Sequence, residues 1–279
     1  NESLVQALNV ATIARDLPGM ADIDSSLLLF CREIKKKFTV ALSGECSDEI
    51  FAGYPWYHNK EILFDDTFPW SHSLNIRKKI LRKDFLKNAD EYVRQRYLDT
   101  VAQTDKLPRE SKLNSRMREM FMLNVKWFMQ TLLDRKDRMS MYNGLEVRVP
   151  FCDYRIVEYA YNMPWEIKNY QGREKGILRE AMKGILPNQI VFRKKSPYPK
   201  THNPVYMKLV SKKVNEILKN ESSLLSQILN HDGVHEVMKH PEEISSPWYG
   251  QLMGAAQIMA YIIQLDFWLN KYGIDIKTV

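Results

Sequence analysis

Apolar and polar positions along this chain recur mostly with a helical period. Leu4, Leu8 and Ala11 follow Ser3-Leu4-Val5-Gln6, a capping-box pattern, and the helix they predict ends before Pro18-Gly19. Leu27, Leu28, Cys31 and Ile34 mark one side of a second helix, with Asp24 as its expected cap and Lys35, Lys36 and Lys37 in its last turn. The period then changes. Phe38-Thr39-Val40-Ala41-Leu42 is a short apolar, β-branched run that predicts a buried strand. Ser43-Gly44 breaks the run, and Ser47, Asp48 and Glu49 open a further helix that Gly53 closes.

Beyond Tyr57 the helical period returns. Residues 109–133 carry Met117, Phe121, Val125, Phe128 and Leu132 on one stripe, widened by Met120, Leu123 and Trp127. That predicts a long helix buried nearly all round, and such a stripe is core rather than a cofactor site. Asp134-Arg135-Lys136-Asp137-Arg138 reads alone as a solvated helix end, after which Met139 resumes the apolar pattern. Leu145 to Phe151 alternates as a strand does, with Glu146 and Arg148 on the side away from the valines. Asp153 is placed to cap the next helix and Pro164 to end it. Gln171 to Lys175 opens another, with Ile177, Leu178, Ala181, Met182 and Ile185 turned inward. Leu252, Ala255, Ala256, Met259, Ile262 and Ile263 share one side of a last helix that Gly273 ends. His231 and His235 stand four apart, the spacing of a helical metal pair, but Gly233 between them weakens that helix and leaves a solvated face as the better reading.

Composition narrows the class. At 279 residues the chain can bury a large core, roughly three quarters of its unfolded surface. No apolar run is long enough to span a membrane, and no charged, apolar, small-residue leader opens the sequence. The three cysteines, Cys31, Cys46 and Cys152, show no paired spacing, which suits a reducing, cytoplasmic setting over a disulfide framework or zinc ribbon. The formal charge of +7 would suit nucleic acid. The lysines are scattered, however, and Arg77-Lys78-Lys79 reads as another helix end, so a positive field around an anionic small-molecule substrate ranks above it.

The candidate chemistry lies after the first strand. Strand, tight turn and helix make half of a βαβ unit, and open α/β sheets gather ligands at the carboxyl ends of their strands. Ser43 to Glu49 would lie there. A helix N-terminus favours phosphate, yet Glu45, Asp48 and Glu49 would repel it. The acids make sense if Mg²⁺ lies between them and phosphates, or if they meet a cationic or amine substrate. A plainer alternative is that they only offset the helix dipole.

The wording of the stretch resembles the synthetase domain of the asparagine synthetase family. That family carries S-G-E-G-[SA]-D-E and then F-G-G-Y; this chain has Ser43-Gly44-Glu45-Cys46-Ser47-Asp48-Glu49 and Phe51-Ala52-Gly53-Tyr54, departing at Cys46 and Ala52. Asp16 to Asp22, the passage Asp137 to Asp153 (D-R-x-x-M-x-x-x-L-E-x-R-V-P-F-x-D) and Gly172 to Glu180 (G-x-E-K-x-x-L-R-E) are similar too, as is the basic, proline-rich loop Arg193 to Pro199. The resemblance runs from about Leu4 to Tyr206.

The resemblance implies a helix-rich α/β fold, part of a PP-loop ATPase parallel-sheet domain. It implies ATP-dependent conversion of aspartate to asparagine through an aspartyl-AMP intermediate, with ammonia drawn from glutamine. Ser43 and Gly44 would line the ATP site, Asp48 would bind Mg²⁺, and Glu45 and Lys175 would be catalytic. Arg138, Glu146 and Arg148 would form an internal ion-pair frame beside that site. Family members join this domain to an N-terminal glutaminase, and carry a pyrophosphate loop, S-G-G-x-D-S, that this sequence lacks. On that reading residues 1–279 are an N-terminally truncated synthetase domain, inactive alone, with aspartate and ATP as substrates, the glutaminase domain as partner, and a homodimer allowed. Two competitors remain: a sibling adenylating ligase such as a β-lactam synthetase, which carries tyrosine where Glu45 stands, and a basic nucleic-acid-binding module, which would leave the three acids unexplained.

Overall fold

Two short strands, β1 (Val40–Leu42) and β2 (Glu146–Arg148), run parallel, pairing Val40 with Glu146, Ala41 with Val147 and Leu42 with Arg148. They make the one sheet among the described residues, which in this computed structural model are 1–72, 74–196, 198, 201, 203–244 and 247–276. The rest of the order is helical. α1 (Glu2–Arg15) and α2 (Asp22–Lys35) precede β1, and α3 (Ser47–Ile50) follows it. α4 (Lys112–Leu123), a π-helical segment (Asn124–Met129) and α5 (Gln130–Met141) form one continuous helix that leads to β2. α6 (Gly176–Ala181), α7 (Pro204–Lys219), α8 (His231–Lys239) and α9 (Ala255–Tyr272) come after. This is the helix-rich α/β class with a small parallel sheet. No helix among the described residues is long and apolar enough to cross a membrane.

The strand forms, but it is not buried as its composition predicts. Phe38 is 62% exposed and Leu42 76%, while Ala41 and Val147 turn toward Leu28, Cys31, Met139 and Leu145 on and beside α2 and α5. A parallel strand is buried only where helices cover both faces. Here helices cover one, and the face bearing Val40, Leu42, Glu146 and Arg148 is open among the described residues. The alternation of Glu146 and Arg148 against Val147 is as expected.

The long helix differs at both ends from its apolar stripe. Arg109 takes a left-handed backbone at φ 63°, and the helix starts after Ser111, whose Oγ accepts the Asn114 N–H at 3.1 Å. It then runs through the charged stretch 134–138, so that stretch is helix interior rather than a solvated end, and Arg135 is buried. Asp24 lies inside α2 rather than capping it; its carboxylate accepts the Met20 N–H at 2.8 Å. The capping box expected at Ser3 does not form, since α1 already begins at Glu2. Asp153 does cap its helix, accepting the Arg155 N–H at 2.9 Å, and Gly273 closes α9 at φ 60°. α6 is shorter than its apolar pattern: Ile177 and Leu178 pack inward, but Ile185 is 70% exposed.

Two cores position the cleft described below. One joins α1, α2, α7 and α9 through Leu8, Ile23, Tyr206, Val210, Val214 and Met259. The other is aromatic. Tyr54 stacks on Trp56 at 4.4 Å, and Phe128 of the π-helical segment meets both edge-on at 5.3 and 5.4 Å. The motif at 43–54 therefore ends on a rigid aromatic platform.

Candidate active site

The site is built where β1 ends. Ser43 still donates its N–H to Arg148 O, at 2.9 Å, so it leaves the sheet in strand geometry. Cys46 then takes φ 73° and turns the chain into α3, while Ser47 Oγ donates to Gly44 O at 2.9 Å and ties the turn. After one helical turn Ala52 takes φ 53°, and Gly53 donates its N–H back to Asp48 O at 2.8 Å. These contacts aim Glu45 and Asp48 at one cleft of about 370 Å³, whose walls include Ser43, Gly44, Glu45, Asp48, Arg135 and Lys195.

Asp48 lies between two ammonium groups. Lys175 Nζ is 3.0 Å from its Oδ1 and Lys195 Nζ is 3.0 Å from its Oδ2. Burial alone would raise the Asp48 carboxyl, but Lys195 and Lys175 outweigh it and hold the carboxyl below its ordinary value. Burial lowers the Lys195 ammonium, and Asp48 opposes that shift. Lys175 reaches the site from the residue before α6, with a left-handed backbone at φ 54°. It directly precedes the helix, still beside the N-terminal end where the dipole disfavours a cation, and the Asp48 carboxylate offsets that placement.

Glu45 faces a second pair of cations. Its Oε1 is 3.5 Å from Arg135 Nη2 and 3.6 Å from Lys136 Nζ, and its buried Oε2 has no hydrogen-bond partner among the described residues. Arg135 continues inward to Asp24, at 3.9 Å, and Asp24 meets Arg15 at 3.4 Å. Burial raises the Asp24 carboxyl, with Arg135 and Arg15 opposing. Glu49 also lines the cleft: it accepts from Tyr54 Oη at 2.6 Å, and burial raises its carboxyl to about 7, with Tyr54 and Lys195 opposing.

The structure thus brings Ser43, Gly44, Glu45 and Asp48 to one cleft, and Lys175 joins them through Asp48. Arg135, Lys136 and Lys195 belong to the same cluster and were not picked out by sequence. For Arg135 a signal existed: Phe128, Leu132, Arg135 and Met139 continue the apolar stripe at steps of four, three and four. For Lys195 the signal was the family-like wording of the loop Arg193 to Pro199, which carries no role for any one lysine, and only the tertiary fold brings that loop to Asp48; Pro197 and Pro199 of that loop lie outside the described residues. The expected frame of Arg138, Glu146 and Arg148 is a correction. Glu146 and Arg148 pair with each other at 2.7 Å, more than half exposed, and Arg138 meets Asp16 and Asp134 at the surface. Glu146 and Arg148 sit on the uncovered face of the sheet, and the internal frame is Arg15–Asp24–Arg135. His231 hydrogen-bonds Ser226, and among the described residues no group of three His, Cys, Asp or Glu side chains could hold a metal. A larger cavity, about 720 Å³, lies between Ile80, Leu229, Trp248, Ile262 and Trp268, but its walls are mainly apolar and hold no lysine–carboxylate cluster.

Fold and cleft define a helix-rich α/β protein with a cation-rich cleft at a strand's carboxyl end. The chain belongs to the asparagine synthase family, whose model matches residues 1–270. It is 49% identical over 278 residues to asparagine synthetase [glutamine-hydrolyzing] 3 of Bacillus subtilis (strain 168), covering 99% of this chain and 45% of that protein. It is 28% identical over 209 residues to asparagine synthetase [glutamine-hydrolyzing] 1 of the same organism, covering 62% of this chain and 32% of that protein. A probable asparagine synthetase of Acanthamoeba polyphaga mimivirus is 42% identical over 66 residues, 23% of this chain and 12% of that protein. The chain therefore spans less than half the length of these curated relatives.

Proposed function

We propose that residues 1–279 serve as the synthetase domain of a glutamine-hydrolysing asparagine synthetase, built on a PP-loop ATPase sheet, with the glutaminase and the pyrophosphate loop lying elsewhere in the full-length polypeptide. One observation carries the reading: an ionised carboxylate, Asp48, sits between two lysines in the same cleft as Glu45. That arrangement suits a reaction in which phosphate charge grows and a proton then leaves.

A side-chain carboxylate oxygen of aspartate attacks the α-phosphorus of ATP, and pyrophosphate departs. Negative charge on the phosphate oxygens grows toward this transition state, and the Lys175 ammonium is placed to offset it. Ser43 and Gly44 line the wall where the nucleotide approaches, and Gly44 leaves open space beside its backbone. Ammonia attacks the acyl carbon of aspartyl-AMP and AMP leaves. The proton shed by the attacking nitrogen passes to the carboxylate of Glu45, which lines the cleft. Arg135 and Lys136, near Oε1, hold that carboxylate in place.

Magnesium fits the donor chemistry. Asp48 is ionised, and once Lys175 has moved to the phosphates the Asp48 Oδ1 would be open to this ion, for which one carboxylate with phosphate oxygens is an ordinary inventory. When bound with ATP it would neutralise phosphate charge, and Asp48 is the residue that would take it. The reaction suits the cytoplasm, where ATP and aspartate are at hand, and Cys31, Cys46 and Cys152 are free thiols.

Full-length protein supplied with ATP, aspartate and glutamine or ammonium is expected to form asparagine, AMP and pyrophosphate in equal amounts. ADP with inorganic phosphate would contradict adenylation. The β-lactam synthetase reading is disfavoured by Glu45, which supplies a base for an ammonia nucleophile.

A further inference from the structure

Lys175 and Lys195 both meet Asp48 at 3.0 Å, yet they are held very differently. Lys195 Nζ also donates to Gly53 O at 3.0 Å and lies 3.9 Å over the centre of the Tyr54 ring. Tyr54 is itself fixed, stacked on Trp56, edge-on to Phe128 and hydrogen-bonded to Glu49. The Lys195 ammonium is therefore engaged by three separate parts of the motif, and its side chain is 16% exposed. Lys175 has Asp48 as its ion-pair partner among the described residues and is 22% exposed. One lysine is locked; the other is tied by a single contact.

The charges explain why both are needed. A lone carboxylate facing one ammonium would neutralise and tether it. Asp48 shared with a locked Lys195 has its charge already balanced, so Lys175 remains a surplus cation. From these contacts we propose that Lys195 is a positioning residue. It anchors Asp48 and offsets its charge, which leaves the Lys175 ammonium able to transfer from Asp48 to the phosphate oxygens of the substrate. Lys195 has no such freedom, since leaving Asp48 would also break its contacts with Gly53 and Tyr54.

This inference rests on the adenylation reading and is tested apart from it. In full-length protein, Lys195→Ala and Lys195→Met are each expected to lower kcat for aspartate-dependent pyrophosphate release by about tenfold to a hundredfold. KM for aspartate and the calorimetric Kd for ATP should stay within about threefold, because Lys195 touches neither. Ethylammonium in the buffer should restore much of the rate to Lys195→Ala, where the side chain leaves space, and none to Lys195→Met, where it does not. A merely structural lysine predicts the opposite: loss that follows the thermal melt, no rescue by the amine, and little loss in Lys195→Met. Either that pattern or kcat within about threefold of wild type in Lys195→Met would overturn the inference. Wild-type protein is the control for the underlying reading: if it releases no pyrophosphate with aspartate, the adenylation reading fails. If wild type is active and the Lys195 variants match it, only the positioning role fails.

Discussion

At Asp48, burial pushes the carboxyl up while Lys195 and Lys175 push it down, and the lysines prevail. The chemistry follows from that balance. Lys175→Ala in the full-length protein is expected to slow pyrophosphate release a hundredfold to a thousandfold, about 3–4 kcal/mol, with little change in ATP or aspartate affinity. Lys175→Arg should not restore it, since a broad planar guanidinium does not replace a compact point charge. Near-normal release at saturating aspartate would reduce Lys175 to a surface lysine. Lys168 carries a different prediction. It is buried, lies 4.4 Å over Phe121, and burial lowers its ammonium to about 7, with Arg118 adding to the shift. Between about pH 7 and 10 the unfolded chain binds this proton and the native chain does not, so its stabilising effect grows as pH rises and is absent below pH 7. Urea unfolding at pH 7 and pH 9.5 should show wild type gaining on Lys168→Met by an amount on the order of a few kcal/mol. A difference between the two proteins that stays constant with pH would exclude the shift. Glu45, Asp48 and Lys175 were legible as residues because each stands in a distinctive local wording. The backbone cost was half legible: Cys46 and Ala52, the two departures from glycine, are both left-handed, at φ 73° and 53°. A glycine bears that conformation freely; an L-residue does so at some cost.

Among the elements, the turn from β1 through α3 to Gly53 sets the geometry. A Cβ on Gly53 would come within 1.9 Å of Asp48 Oδ1 and 3.0 Å of Asp48 Cα. Gly53→Ala should therefore displace the carboxylate, lowering pyrophosphate release at least about tenfold and destabilising the fold by about 1–3 kcal/mol. Wild-type rate in that variant would show that the carboxylate position does not matter. The helix–helix frame makes a second contrast. Removing Asp24, which is fully buried between Arg15 and Arg135, takes away the carboxylate they share and leaves Arg15 only Asp134 and Arg135 only Glu45. Asp24→Leu is expected to cost about 3–5 kcal/mol in urea unfolding, whereas Arg148→Ala, which breaks only an exposed pair with Glu146, should cost less than about 1 kcal/mol. Equal losses would mean the buried frame is not structural. The sequence pattern misplaced these two sets for a physical reason. Whether an ion pair is inside depends on which face of a short strand is covered, and strand composition does not say so. The apolar stripe located the long helix but not its π-helical segment, where the side chain of Asn124 donates to Met120 O at 2.8 Å.

At the scale of the whole molecule, the site residues come from widely separated parts of the chain: the turn at 43–48, α5, the residue before α6 and the loop at 195. Local patterns found the first and third of these; the apolar stripe marks Arg135 as inward-facing, but only the assembled fold brings it, Lys136 and Lys195 to the cleft. The described sheet has one open face, and the sequence contains no S-G-G-x-D-S loop to hold a pyrophosphate. Residues 1–279 alone are thus expected to bind ATP weakly and to form no asparagine; micromolar binding by calorimetry would contradict that. The central claim is that the cleft activates a carboxylate by adenylation. Full-length protein should be given aspartate labelled with ¹⁸O in its side-chain carboxylate, together with ATP and ammonium, and the AMP analysed by mass spectrometry. Adenylation predicts one labelled oxygen in each AMP formed from fully labelled aspartate, because the acyl–oxygen bond breaks when ammonia attacks. Label absent from AMP and appearing instead in inorganic phosphate would show attack at the γ-phosphorus and contradict the account.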